Sequence, residues 1–561
     1  MRSMTLTALT AAVLMTGLFV THSLRVQAQG GAALTGAVTS KEEGKMEGVV
    51  VSARRDGTTF TVSVVSNDKG EFAFPRTHLQ PGAYTLKIRA AGYDLASGGT
   101  ATVAAGKAAK ADLTLAKTKD LASQLTSAEW ANSMTGSPEQ KERFNHQLMS
   151  CGYCHTYGRI LKSKHDPEAL LKAMTRMMHY YSDGTAVSND NRRGRAARIQ
   201  EHGREGFVDV PEWGFAPGLP RKELAVYVSE NNLSNGRTTW PFELKTLPRP
   251  KGKGTQVIIT EYDMPTASTV SHDSDMDSKG ILWFTDQSRQ VMGTFDPKTG
   301  AITEIPMPPV PMGDLEGGQD LVVDKDDKVW FPMRIPGGRA LLTKYDPTTS
   351  TFTSVPDVAS QFVSLGGDGS VWAGNTRVDP KTMMVTGRFS YQKDPAVPPG
   401  SGGYHNVVDS KGNPWVATYR GPGGVIGIDA KTNKVTWISA PGLKARRGRV
   451  DAQDRYWFGE YLADKVSMVD LKTGKVQRWD VRPWSEPYTA STPDSKGRVY
   501  YPSNMSERMI QLDPKTGEIV EFQWPAELDV KKLSIDPTTT TPIIWGTNKR
   551  TARVMKIEPL N

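Results

Sequence analysis

The sequence predicts a multidomain, mainly β protein whose larger part is a seven-bladed β-propeller. Three observations lead there. The 561 residues include 53 Gly and 36 Pro, the composition of a chain made of short strands and turns. Aromatic residues recur at near-constant spacing through the second half. The only two cysteines fall within five residues of each other, in the one stretch with helical patterning. At ~100–200 residues per domain the length calls for several domains or a repeat array. A hydrophobic share of 38% and a mean hydropathy of −0.45 exclude a polytopic membrane protein. The 23% charged residues and 13 Trp exclude wholesale disorder. Two cysteines cannot make a disulfide scaffold or an all-cysteine metal site. The net charge of +9 favours an anionic partner or surface.

The N-terminus reads as an export signal. Arg2 is followed by an apolar run over 6–20 and by Val26-Gln27-Ala28, with small residues where a signal peptidase reads. The run is shorter than the ~20 residues of a membrane span. Cleavage is expected after about Ala28, releasing a periplasmic protein with no transmembrane segment in the mature chain.

Residues 32–116 alternate as short strands with turn punctuation. Val49-Val50-Val51, 60–65, Glu71-Phe72-Ala73-Phe74 and 84–88 are β-rich, and Asn67-Asp68-Lys69-Gly70 and Pro81-Gly82 are turns. That is a small antiparallel sandwich. The series Gly36-Ala37-Val38, 48–51, 68–72, 81–84 and Gly92-Tyr93 resembles the carboxypeptidase regulatory-like domain. The resemblance implies a prealbumin-like β-sandwich without catalytic residues, an accessory or docking module.

Residues 120–235 change to helical periodicity with clustered His, Met and Arg. A helix is expected over 168–178 with Pro167 in its first turn, and a closing helix over 221–230. The polar, basic stretch 188–198 reads as a solvated loop or helix face. Residues 236–256, containing Leu247-Pro248-Arg249-Pro250-Lys251-Gly252-Lys253-Gly254, read as a linker.

From 257 to 561 the chain repeats. The aromatic of each unit runs Trp283, Trp330, Trp372, Trp415, Trp457, Tyr500 and Trp545, at spacings of 47, 42, 43, 42, 43 and 45 residues. A turn marker tracks it: Asp296-Pro297-Lys298-Thr299-Gly300 and its counterparts at Asp346, Asp379, Asp429, Asp470 and Asp513. A β-repeat of ~40–50 residues is a propeller blade. The seventh unit stops where the others turn into an outermost strand, and 257–265 resembles 301–308. The front strand is therefore expected to close the last blade and remove the free edges.

Both cysteines lie in Cys151-Gly152-Tyr153-Cys154-His155. In an exported chain, C-x-x-C-H is the attachment signature of a covalent haem c: two thiols meet one porphyrin edge and the imidazole meets the iron. A thioredoxin-like dithiol would want a strand-to-helix setting. A zinc site would want a second cysteine pair. Met174, Met177 and Met178 share one helical face and compete as sixth ligand with plain core packing. Residues 151–161 and Thr175-Arg176-Met177-Met178 resemble small monohaem cytochrome c domains, in which an Arg-Met pair at this distance supplies the axial ligand. The resemblance implies His155 and Met177 on the iron, with Met178 the immediate rival. His165, His179 and His202 are further candidates.

Propellers bind or catalyse at the channel mouth. Trp283-Phe284-Thr285-Asp286, Trp457-Phe458-Gly459-Glu460 and 302–306 resemble the virginiamycin B (streptogramin) lyase propellers over 257–561. That family opens a cyclic depsipeptide ester by elimination, with Mg2+, a histidine base and a Glu-Pro-His motif. Here the tripeptide is Glu486-Pro487-Tyr488, Arg449 stands where a histidine is wanted, and tyrosine is a poor base at neutral pH. His272 and His405 do precede inner strands and are the catalytic candidates, with Asp286, Arg334, Arg420, Glu460 and Glu486 as candidate neighbours. A pyrroloquinoline quinone propeller wants eight blades and an adjacent cysteine pair. Nothing suggests nucleic acid. The expected function is a periplasmic electron-transfer protein with a redox partner, whose surface would be acidic, and a propeller that binds a small molecule or protein. The alternatives are a lyase or hydrolase with an accessory cytochrome, and a non-enzymatic docking module.

Overall fold

A computed structural model of the chain describes residues 31–152, 155–182, 221–287, 289–309, 317–335, 339–356, 358 and 360–561, with 150, 175–182, 334, 335 and 339 described by backbone alone. The proposed signal peptide, the stretch 188–198 and His202 lie outside the described residues. Among the described residues no helix is long and apolar enough to cross a membrane.

The N-terminal part is a two-sheet sandwich. In one sheet Ala32–Ser40 pairs with Glu71–Pro75 and, in parallel, with Leu113–Lys117, which pairs with Tyr93–Ser97. In the other, Phe60–Val65, Val50–Arg55, Gly82–Arg89 and Thr100–Val103 lie side by side. Inward residues such as Leu34, Val51, Val62, Phe72, Phe74, Leu86 and Leu113 make one core. The turn at Asn67 forms because its side chain accepts the N–H groups of Lys69 and Glu71, and Gly70 takes φ 72° beside the Val38 carbonyl.

Among the described residues five α-helices follow: α1 Ser127–Ser133, α2 Pro138–Gly152, α3 Tyr157–Leu161, α4 Pro167–Ser182 and α5 Arg221–Asn231. Thr126 and Glu129 form a reciprocal cap on α1. Pro167 opens α4, where a missing N–H costs nothing, and Asp166 accepts the Ala169 N–H. The helices share one core (Trp130, Phe144, Leu148, Tyr157, Leu161, Leu224, Val228) with Tyr419, Tyr461, Tyr488 and Met505 from the C-terminal region.

The segment read as a linker is packed. Trp240 lies against Trp130 with ring centroids 5.1 Å apart and donates to the Leu161 carbonyl. The Lys245 and Leu247 N–H groups bond Ser133 and Glu129, and Arg249 pairs with Glu43 of the sandwich. The Pro/Gly/basic composition conceals four apolar anchors (Trp240, Phe242, Leu244 and Leu247) that fasten it to the helical core.

The C-terminal region is a ring of seven antiparallel sheets, a β-propeller. In the four-stranded blades the marker aromatic sits in the second strand, in the three-stranded blade six Tyr500 sits in the first, and each aromatic's polar hydrogen finds an acceptor in the preceding turn. Trp283, Trp330, Trp415, Trp457 and Trp545 donate to Asp277, Asp324, Asp409, Asp451 and Asp536, and Tyr500 donates to Asp494. Blade three uses Ser370 under Trp372. The second marker is an Asx turn between strands three and four, where Asp296, Asp346, Asp379, Asp429, Asp470 and Asp513 accept the N–H two residues on.

Strand Val257–Asp263 pairs along seven residues with Arg553–Pro559 and completes the last blade. Its outer edge is paired too. Ile259–Tyr262 register with Ser63–Phe60, so blade seven and one sandwich sheet form a single eight-stranded sheet. Ion pairs Arg54–Asp263 (2.7 Å) and His78–Glu558 (2.8 Å) brace the junction, with Arg89–Glu507 nearby. The sandwich therefore protects the strand that closes the ring.

Candidate functional site

The site is the channel along the ring axis. The inner strands of blades one, four and five each carry a register shift: between Ser271 and Ser274, between Gly403 and Asn406, and between Ala445 and Gly448. A β-bulge re-aims side chains, so adjacent residues both reach the channel where a regular strand would send one away. The pairs so placed are His272-Asp273, Tyr404-His405 and Arg446-Arg447.

At the helical end the four tyrosines Tyr404, Tyr419, Tyr461 and Tyr488 surround the buried Arg446, whose guanidinium lies 3.5 Å from the Tyr404 ring centroid and 5.1–5.5 Å from the others. Lys531 lies 3.9 Å over Tyr488 and pairs with Asp529 at 2.5 Å. Burial raises the Tyr404 phenol, but the Arg446 and Arg447 charges outweigh it and hold the group below its ordinary value. Burial pushes Glu486 up to about 7 against the pull of Lys531 and Arg550.

One residue deeper, Arg447 holds Asp273 through both guanidinium nitrogens at 2.7 Å and reaches Asp320 at 3.1 Å. Asp320 also faces Lys532 at 3.3 Å and His405 Nε2 at 3.4 Å, and His272 Nδ1 lies 3.2 Å from Asp273. The four charged groups and two imidazoles are buried and plug the channel. Burial outweighs the neighbouring carboxylate in both histidines and takes each to about 4, so both are neutral at pH 7.

The two histidine candidates from blades one and four thus meet in one network. Their proposed neighbours do not join it. Asp286 is clasped by Arg289, which also holds Glu304, and Glu460 is clasped by Arg478 and Ser467. Arg420 is exposed, and the side chain of Arg334 lies outside the described residues. Glu486 belongs to the helical end. Tyr488, the third residue of Glu486-Pro487-Tyr488, is buried under the helices with its phenol pushed well above 10 by burial, so it is no base. The sequence reading passed over Asp273, Asp320, Arg447 and Lys532. The signal was there in the doublets Arg446-Arg447 and Lys531-Lys532, adjacent cations entering inner strands. Among the described residues no three His, Cys, Asp or Glu converge on a point where a metal ion could bind.

Cys151, Gly152 and His155 of the C-x-x-C-H segment are among the described residues. Cys151 is in the last turn of α2, half-buried, and Cys154 lies outside the described residues. The Gly152 carbonyl accepts from Arg550 of blade seven at 2.7 Å, and His146 of α2 packs edge-on to Trp484 at 5.7 Å. His155 Nδ1 lies 3.1 Å from the Thr156 carbonyl oxygen. That contact selects the tautomer with its lone pair on Nε2, the arrangement of a metal-binding imidazole. His155, Thr156 and Arg159 also line a cleft of about 970 Å3 that reaches Arg89, Arg508 and Arg550. Met177 and Met178 lie in α4, their side chains outside the described residues, as is that of His179. His165 is exposed.

Residues 33–116 match the carboxypeptidase regulatory-like domain family. No match was found among curated proteins. Among solved structures, a streptogramin B lyase is similar at 15% identity over 55% of this chain and 100% of its own, with a TM-score of 0.46. Virginiamycin B lyase from Staphylococcus aureus is similar at 15% identity over 54% of this chain and 99% of its own, with a TM-score of 0.45.

Proposed function

We propose that this chain is an exported c-type haem protein that passes single electrons between a redox partner and a ligand or protein held by the propeller. The observation that carries the reading is the sequence Cys151-x-x-Cys154-His155, which begins in the last turn of α2. The donor set fits the group: two thiols at the attachment spacing and an imidazole whose Nδ1 is tied to a backbone carbonyl. Cys151 and Cys154 would anchor haem as thioethers, His155 would hold the iron, and Met177 or its neighbour Met178 would be the opposite ligand. Haem, when bound, would supply a one-electron ferric/ferrous couple, and a methionine ligand would favour a high potential.

The protein's own residues do the rest. Arg550 holds the loop through Gly152, and the core shared by Trp130, Tyr157, Tyr461 and Tyr488 fixes the helices on the ring. The exposed Arg159 and Lys162 in the wall of the cleft at His155 suit an acidic partner. The lyase alternative is weakened by the placement of Glu486-Pro487-Tyr488 beneath the helices. The test is export in a host with cytochrome c maturation, followed by a pyridine haemochrome spectrum. Covalent haem that disappears in Cys151→Ala/Cys154→Ala supports the reading, and its absence from the exported wild type overturns it. A reduced-minus-oxidised spectrum of Met177→Ala beside Met178→Ala identifies the sixth ligand.

A further inference from the structure

The inner strands run from the helical face to the opposite face, and their far ends enclose a second chamber. It has a volume of about 210 Å3 and its wall includes His405, Arg447, Arg449, Lys532, Asp275 and Thr489. The helices and the tyrosine layer cover one mouth, so a ligand reaches the channel from this side. Three cations face the chamber against one carboxylate in its wall. Arg447 is matched by Asp273 and Asp320, and Lys532 also donates to Asp320 and to the Leu321 carbonyl. Arg449 and Lys532 share Asp275 at 3.8 and 3.6 Å, long for ion pairs and without hydrogen-bond geometry. His405 is 7% exposed, its Nε2 faces Asp320, and its Nδ1 has no partner among the described residues. A polar atom buried in that state is costly unless something fills the place.

We propose that this chamber binds a small monocarboxylate, bridged between Arg449 and Lys532 with His405 Nδ1 as a third contact. A planar carboxylate suits the guanidinium fork, its charge is met by the proton that His405 takes up, and Asp275 would repel a second charge. The inference rests on the ring as the ligand-binding part of the protein and is independent of haem.

A carboxylate can accept a hydrogen bond only from a protonated Nδ1. The groups facing His405 are Asp320 from blade two, Arg447 and Arg449 from blade five, Lys532 from blade seven and Asp273 and Asp275 from blade one, with Phe362 against the ring. An added anion tips that balance toward the imidazolium. Binding therefore takes up a proton.

The test is calorimetry of the full chain with acetate and, separately, inorganic phosphate, in two buffers of different ionisation heat at pH 6. The expected result is saturable acetate binding with proton uptake, weakened about tenfold or more in Arg449→Gln. In His405→Gln acetate binding is weakened and the proton uptake vanishes. Silence with acetate, binding of phosphate alone, or acetate affinity unchanged in Arg449→Gln overturns the proposal. A covalent-haem spectrum on the same sample separates its failure from failure of the electron-transfer reading.

Discussion

The two halves of the channel are built by the same strands, one residue apart, and they are opposites. Toward the helices the chain places Tyr404, Arg446, Tyr488 and Lys531; one step on it places His405, Arg447, Thr489 and Lys532. The first layer is aromatic, keeps a guanidinium among phenol rings and is closed by an apolar core. The second is an ionic network that borders a chamber on the other side. Burial alone does not distinguish them, since Arg446 and Arg447 are each 2% exposed. What distinguishes them is what each guanidinium leaves behind if removed.

That difference gives the largest expected effect. Arg447→Met leaves the buried Asp273 with only His272 beside it and takes one of the two cations from Asp320, and should cost about 3–5 kcal/mol of unfolding free energy. Arg446→Met removes a guanidinium from tyrosine faces and should cost on the order of 1–2 kcal/mol. Denaturant unfolding of both variants checks the order, and a larger loss in Arg446→Met breaks the distinction between the layers.

The next effect concerns the closed end alone. Tyr461 packs against Tyr419 and Tyr488 and belongs to the core shared with the helices. Tyr461→Ala should cost about 3 kcal/mol at that seam. Limited proteolysis should then cut within 120–235 well before the ring, whereas simultaneous cutting of both would mean that the helices do not fold as a separable layer.

Acidity separates the two halves with opposite signs. Glu486, at the closed end, is raised from 4.5 to about 7, so the folded state binds the proton more tightly. Its contribution is fully present below pH 4.5 and is lost as pH rises through 7. Glu486→Gln should therefore raise stability by about 2–3 kcal/mol at pH 8 and leave it unchanged at pH 4. His272 and His405, in the plug, are lowered to about 4, so the unfolded state binds the proton more tightly. Their contribution is present above pH 6.5 and is lost as pH falls toward 4. His405→Gln should flatten that acid limb without moving the alkaline one. Melting temperatures across pH 4–8 for wild type and both variants check both signs.

What the sequence disclosed and what it hid follow from how local each interaction is. The blade repeat is legible because Trp457 bonds an acceptor six residues earlier, so each unit carries its own stabilising pair. The Cys151-x-x-Cys154-His155 spacing stands out in the sequence because all its donors fall within five residues. Arg447 and Asp273 stand 174 positions apart, and no local pattern announces their meeting. The bulges that turn both members of each doublet into the channel break the period-two rule by which inner strands are read. Residues 236–256 were misread for the complementary reason, since proline and glycine mark irregular backbone but not whether that backbone is anchored. The sandwich's own strands are plain in the alternation, but its union with blade seven is not. The pairing of Thr260 with Val62 depends on where two separate modules end.

The smallest effect tests whether the blades are as uniform as their spacing implies. In blade six Tyr500 replaces tryptophan and its hydroxyl donates to Asp494 at 2.8 Å. Asp494 is also held by Arg498 Nε at 2.9 Å and by the N–H groups of Lys496 and Arg498. Tyr500→Phe deletes one donor from a carboxylate that keeps three, so it should cost about 1 kcal/mol. In blade five, Asp451→Ala leaves the buried Trp457 indole without its acceptor and removes the carboxylate from Arg455 and the Gln453 N–H as well. That change should cost about 2 kcal/mol. Equal losses in paired urea titrations would mean that the aromatic's apolar packing, not its polar hydrogen, is what each repeat preserves.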